Sequence, residues 1–270
     1  MKRIITMQDI SCVGKCSLTV ALPIISSFGI EACPLPTALL SCHTAFNEFE
    51  YLDLTKEASK MEKSLKRQNL TFDGIYTGYL GSLKQIDVAK ELIADFKTKN
   101  TLVAVDPVMG DMGRLYSGID ERMPEKMCEL IKASDIIMPN MTEAGFLLGM
   151  GRGLNEQDDI TSSLYALTRL GCKIAIITGV NRGSDTGAAA FNSESGETVF
   201  VMRKKIPGIF HGTGDIFASV LFSRLINGES IECALNSAVD FTIGAMQETV
   251  DDPDARWYGV NFEALLNNKK

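Results

Sequence analysis

Basic side chains are in short supply. Lys and Arg number 27 against 34 Asp and Glu, leaving a formal charge of −7 over 270 residues. A chain that grips a phosphate backbone needs a cationic surface, so nucleic acid is a poor partner. Long apolar runs are missing too. The nearest, Leu18 to Ile25, falls well short of the roughly 20 residues of a membrane span and contains Pro23. No membrane partner is expected. Met1 to Met7 holds two charges and then Ile4-Ile5, without the apolar core or cleavage site of a secretion signal. The seven cysteines are odd in number and irregular in spacing, which suits reduced thiols in a cytoplasmic protein. Histidine is scarce, with only His43 and His211, and no serine sits in a nucleophile-elbow pattern. Cys12, Cys16, Cys33, Cys42 and His43 lack the spacing of zinc ligands. Gly14-Lys15-Cys16-Ser17 resembles the end of a P-loop, but Asp9 stands where the first glycine belongs and Cys16 where Ser or Thr should follow the lysine. No Pro- or Ser-rich linker, repeat or low-complexity tract divides the chain, so one domain spanning 1–270 is expected.

What is present is an alternation. The patterning predicts strands at Ile4–Met7, Ile30–Leu35, Asp73–Thr77, Leu102–Val105, Asp135–Met138 and Lys173–Thr178. Between and after them it predicts helices at Ser17–Phe28, Leu54–Lys66, Leu83–Phe96, Pro124–Lys132, Thr142–Leu148 and Asp159–Leu170. Gly187–Phe191 and Glu197–Met202 read as an antiparallel pair around Asn192 to Gly196, followed by helices at Ile216–Ile226 and Ile231–Gln247. Gly110 to Gly118 and Gly149 to Gly153 read as surface loops. Strand–helix repetition of this kind predicts an α/β fold: a three-layer αβα sandwich around a mainly parallel sheet. Ligands of such sheets bind outside the carboxyl ends of the strands.

Chemistry-bearing residues cluster at those ends. His211-Gly212-Thr213-Gly214-Asp215 leads into an amphipathic helix. Glycines at a helix start leave backbone N–H groups free to bind an anion. Asp215 in the first turn suits a base that takes a proton from a hydroxyl while the N–H groups hold a phosphoryl group. A capped helix with a first-turn acid is the plainer alternative. Asp106-Pro107-Val108-Met109-Gly110-Asp111 follows an apolar strand and offers two acids to Mg²⁺, or forms a polar turn. Pro139-Asn140-Met141-Thr142-Glu143 offers an amide and a carboxylate, or a helix cap.

Five segments in this order resemble the pyridoxal (vitamin B6) kinases of the ribokinase superfamily: Ser41-Cys42-His43-Thr44, Gly78-Tyr79-Leu80-Gly81-Ser82, Asp106-Pro107-Val108-Met109-Gly110, Ala133 to Asn140, and Gly212-Thr213-Gly214-Asp215. The resemblance covers nearly the whole chain. It implies ATP-dependent phosphorylation of the 5′-hydroxymethyl group of a B6 vitamer. Asp215 would be the base, with Gly212, Thr213 and Gly214 as the anion hole. Asp111 and Glu143 would hold Mg²⁺ or its waters, and Asp106 and Asn140 would order the phosphates. Thr178 would face ATP, while Asp9, Thr44 and Tyr79 would meet the vitamer. ATP and Mg²⁺ are the implied cofactors; a monovalent cation is left open. A homodimer is implied as well. Asp111 to Gly118 and Asn181 to Asp185 are the candidate closing segments, and Arg203-Lys204-Lys205 either flanks the nucleotide or forms a solvated edge.

Two positions depart from the pattern. Asp9 stands where the common type carries Ser, and it would favour a cationic vitamer such as pyridoxamine. Cys42 replaces an Asn before the His-Thr pair. A hydroxymethylpyrimidine kinase shares the approach to the anion hole but typically carries Cys at the position of Asp215. A non-catalytic ligand-binding protein on the same fold is the remaining alternative.

Overall fold

A strand apolar at every position must be covered on both faces, and Leu102–Val105 is such a strand. In the computed structural model, which describes residues 1–267, it lies mid-way across a nine-stranded sheet. The chain enters through β1 (Arg3–Val13), returns by α1 (Leu18–Ser27) to β2 (Glu31–Cys42) and adds the short β3 (Tyr51–Asp53). Helix α2 (Thr55–Arg67) leads to β4 (Gly74–Thr77), and α3 (Leu83–Phe96) to β5 (Leu102–Val105). A separate hairpin, β6 (Gly110–Asp111) and β7 (Arg114–Leu115), precedes α4 (Met123–Ile131) and β8 (Ile136–Ile137). Helices α5 (Met141–Leu147) and α6 (Ile160–Thr168) lead to the meander β9 (Ile174–Arg182), β10 (Asp185–Asn192) and β11 (Thr198–Lys204). Helices α7 (Thr213–Ile226), α8 (Ile231–Asp251) and α9 (Glu263–Asn267) follow.

The strand order is β11-β10-β9-β8-β5-β4-β1-β2-β3. The run from β9 to β2 is parallel throughout, and β3, β10 and β11 pair antiparallel at the two edges. Successive side chains of a strand point to opposite faces. Ile5, Met7, Ile75, Val103 and Val105 accordingly join one core, under α2 to α6. Ile4, Tyr76, Ala104 and Ile136 join the other, under α1, α7 and α8. The expected αβα sandwich is the fold the chain adopts.

Four expectations need correction. β1 continues past Met7 to Val13, because Gln8, Asp9 and Ser11 are buried polar residues within the strand and masked its pattern. β2 continues past the expected end at Leu35 to Cys42, carrying both Pro34 and Pro36 within it. Its outer partner β3 pairs only with Ala38 to Leu40, so the prolines face an open edge where no N–H is missed. Gly110 to Gly118 is no plain loop but holds the β6–β7 hairpin, turning at Met112 (φ 51°) and Gly113 (φ 81°). Asn181 to Asp185 is the β9–β10 turn, fastened by Lys204, whose Nζ lies 2.9 Å from both Ser184 Oγ and Asp185 Oδ1.

Candidate active site

The parallel strands aim their carboxyl ends at the start of α7. Gly212 there has φ 82°, and a Cβ on it would lie 1.9 Å from the Lys15 carbonyl oxygen. Both facts demand glycine. First-turn N–H groups of a helix have no acceptor within it, so this end is a ready anion site. Asp215 sits half-buried in the same turn. Burial pushes its carboxyl up to about 7; the Ser17 backbone N–H pulls it down and the Asp9 charge adds to the rise. A base poised near neutrality is what proton abstraction from an alcohol needs.

A cleft of about 410 Å³ opens above this turn. Asp106, Asp111, Asn140, Glu143 and Thr178 line one side, and Phe217, Val239, Ile243 and Met246 give the other an apolar surface. The α8 positions 239, 242, 243 and 246 share one helix face, a period visible in the sequence but without meaning until α8 packs beside α7. Tyr116, from the segment after β7, also reaches the cleft and was not anticipated.

Asn140 and Glu143 form a capping box and more. Asn140 Oδ1 accepts from the Thr142 and Glu143 N–H groups at 2.8 and 2.9 Å. Glu143 accepts from Asn140 N at 2.9 Å and from Met109 N at 3.1 Å. Asn140 Nδ2 donates to the Gly110 carbonyl at 2.9 Å, and Gly113 N donates to Thr142 Oγ1 at 2.9 Å. Capping and cleft-lining are therefore one arrangement, and it fastens the hairpin that carries Asp111.

The acids of this wall crowd one another. Burial drives the Asp106 carboxyl well above the usual range, and the charges of Glu143 and Asp215 push it further. Burial raises Glu143 to about 8 against its backbone donors, with Asp111 adding repulsion. Hard oxygen donors lacking a counter-charge suit Mg²⁺, which keeps several waters and binds through one or two carboxylates and substrate phosphates. Among the described residues no three His, Cys, Asp or Glu side chains gather closely enough to hold an ion unaided. The residues thus fit an ion bound through water and phosphate oxygens.

Across Asp215 lies a second group. Asp9 is buried, and its carboxylate accepts from Ser17 Oγ at 2.5 Å and from Ser11 Oγ at 3.4 Å. Burial raises its carboxyl above the usual range while these donors oppose the rise. Tyr79 is half-buried nearby, its phenol pushed up to about 12 by burial, then by Tyr51 and Asp9. Tyr51, on β3, joins this group and was missed because β3 was not foreseen. Thr44 is exposed in the turn after β2, and like Asp9 and Tyr79 it does not line the cleft. Arg203 is bound to Asp240 at 2.6 Å and to Asn236 at 3.1 Å, and Lys204 to Asp185, so these two basic residues belong to an occupied strand edge.

The family model for phosphomethylpyrimidine kinase matches residues 24–254. The chain belongs to the phosphomethylpyrimidine kinase family. Within that family its structural likeness to a Bacteroides thetaiotaomicron protein, provisionally named a phosphomethylpyrimidine kinase and crystallised with pyridoxal, is high. The TM-score is 0.94 at 37% identity, covering 99% of this chain and 95% of the other. Pyridoxal kinase from Lactobacillus plantarum superposes with a TM-score of 0.91 at 31% identity over 99% and 96% of the two chains. The Arabidopsis thaliana pyridoxal kinase is 25% identical over 97% of this chain and 87% of its own length. The resemblance to B6 kinases of the ribokinase superfamily is thereby borne out.

Proposed function

We propose that this family member transfers the γ-phosphoryl group of ATP to the 5′-hydroxymethyl oxygen of a B6 vitamer. One observation carries the reading: Asp215 stands between a cleft with an anion-binding floor and the separate polar group of Asp9, Tyr51 and Tyr79. The vitamer's alcohol gives its proton to Asp215 as its oxygen bonds to the γ-phosphorus, and the bond to the bridging oxygen of ADP breaks in line. N–H groups of Gly212, Thr213 and Gly214 hold the transferring oxygens, which costs no reorganisation because the helix start is fixed. Asp106 and Thr178 face the phosphates, and Asn140 with Glu143 keeps that wall in place. Phe217, Val239, Ile243 and Met246 offer a surface for the adenine. Asp111 and Glu143 would hold Mg²⁺, which would supply charge neutralisation for the phosphates. Asp9 and Tyr79 meet the pyridine ring's polar groups, with Thr44 at the rim.

The family description favours hydroxymethylpyrimidine as the alternative acceptor. Asp215 in place of that group's usual Cys favours the vitamer. ADP release measured with pyridoxal, pyridoxine, pyridoxamine and hydroxymethylpyrimidine decides between them: turnover confined to hydroxymethylpyrimidine overturns the reading, and turnover with none favours a ligand-binding protein. Exposed Leu39, Phe49 and Leu52 at the β2–β3 edge support a homodimer. Seven free cysteines support a reducing, cytoplasmic setting.

A further inference from the structure

Lys15 belongs to the Gly14-Lys15 pair that looked like a broken P-loop, and the proposed reaction leaves it without a task. Its side chain does not enter the cleft. Nζ donates instead to Asn261 Oδ1 and Glu263 Oε2, both at 2.9 Å, and lies 5.9 Å from the Phe262 ring centroid. A Cβ on Gly259 would meet Lys15 Cβ at 2.4 Å, so the lysine stem lies flat against that glycine. Asn261 is itself fixed, its N–H donating to Thr249 Oγ1 at 2.7 Å and its amide to Asp252 Oδ2 at 2.8 Å. A second tie joins the same segment: His43 Nε2 lies 2.9 Å from the Tyr258 carbonyl, and the His43 ring centroid lies 5.2 Å from that of His211 with the rings tilted by 40°.

The loop anchored by Lys15 touches both working parts of the site. The Lys15 carbonyl packs on Gly212 of the anion hole, and two residues on, the Ser17 N–H faces the Asp215 carboxylate. We infer that Lys15 is a positioning residue for phosphoryl transfer, clamped by Asn261 and Glu263 so that the Gly14–Ser17 loop holds Gly212 and Asp215 in register. The segment from Gly259 to Glu263 thus serves the reaction without touching substrate. A misplacement near 1 Å at a transfer site costs about a hundredfold in rate.

The inference rests on the kinase reading, and the test separates the two. Steady-state ADP release is measured on the full chain for the wild type, Lys15→Met, Lys15→Arg, the Asn261→Ala/Glu263→Ala pair and the triple combination. Expected is a fall in kcat of about ten- to a hundredfold in Lys15→Met and in the pair, with the KM for ATP within twofold. The triple variant should be no worse than Lys15→Met, and Lys15→Arg should recover most of the rate. A raised KM for ATP in Lys15→Met with a silent pair overturns the inference, because the lysine would then serve the nucleotide directly. An unchanged kcat in the pair also overturns it, even if Lys15→Met fails to fold. Wild-type turnover of hydroxymethylpyrimidine alone defeats the vitamer reading instead, and the same variants are then compared on that substrate.

Discussion

Ser17 Oγ lies 2.5 Å from Asp9 Oδ1, while the backbone N–H of the same serine faces the Asp215 carboxylate. One residue therefore touches both Asp9 and Asp215, the acids proposed to meet the vitamer and to act as the base. It does so from φ 49° and ψ −131°, a conformation that a side chain disfavours.

Ser17→Ala and Ser17→Gly separate these two contributions. The alanine variant keeps the backbone and removes a donor from a buried carboxylate, a loss of about 1–3 kcal/mol. The glycine variant loses the same donor but relieves the backbone, which returns about 1 kcal/mol. Urea unfolding at pH 7 should rank them wild type, glycine, alanine in falling stability.

Asp215→Asn should lower kcat by about 10²–10⁴-fold, the range of a lost general base, with ATP affinity retained. In the wild type the rate should rise with pH through about 7, where burial places the Asp215 carboxyl. A pH–rate profile that stays flat from 5 to 9 contradicts the assignment of the base.

The ligand-free protein should lose stability as pH rises. Asp215 and Glu143 titrate near 7 and 8 when folded, above their ordinary values of 3.8 and 4.5. Between those limits the folded chain binds more protons than the unfolded one, so the stability present in acid fades through neutrality. Tm should fall from pH 5 to 9, by about 2–4 °C for each kcal/mol lost. Mg²⁺ with ATP should restore it at pH 8, and Asp215→Asn should flatten part of the slope.

Gly212→Ala should abolish transfer. The added methyl meets the Lys15 carbonyl at 1.9 Å in a left-handed backbone, so the anion hole must open to admit it. ATP binding by calorimetry should weaken along with kcat, and Gly214→Ala, which meets nothing within 4 Å, should be far milder.

Asp9 should set vitamer choice. We expect kcat/KM to favour pyridoxamine, whose aminomethyl group is cationic, and Asp9→Ser to shift the preference toward pyridoxal. A clear pyridoxal preference in the wild type sinks this.

Local chemistry decided what was legible in the sequence. The α7 start was readable because glycine, helix dipole and first-turn acid each point to the same use. The alternation of Val103 to Ile137 with helices gave the sheet. The second half of β1 was not legible as a strand, because Gln8, Asp9 and Ser11 are polar residues buried within it. The hairpin at Gly110 was hidden since its strands are two residues each and depend on Asn140 from another loop. Residues 252 to 263 carry no periodic signal at all. Their role comes from contacts such as Lys15 to Glu263, across 248 positions.

That span has a consequence for synthesis. Gly212 and Asp215 emerge from the ribosome before Glu263 does, with the α8 side of the cleft, which runs to Met246, in between. A nascent chain can thus assemble its sheet and helices while the loop bearing Lys15 is still unclamped. On the proposed role of Lys15, the loop beside Gly212 and Asp215 is fastened only once the contact to Glu263 has formed.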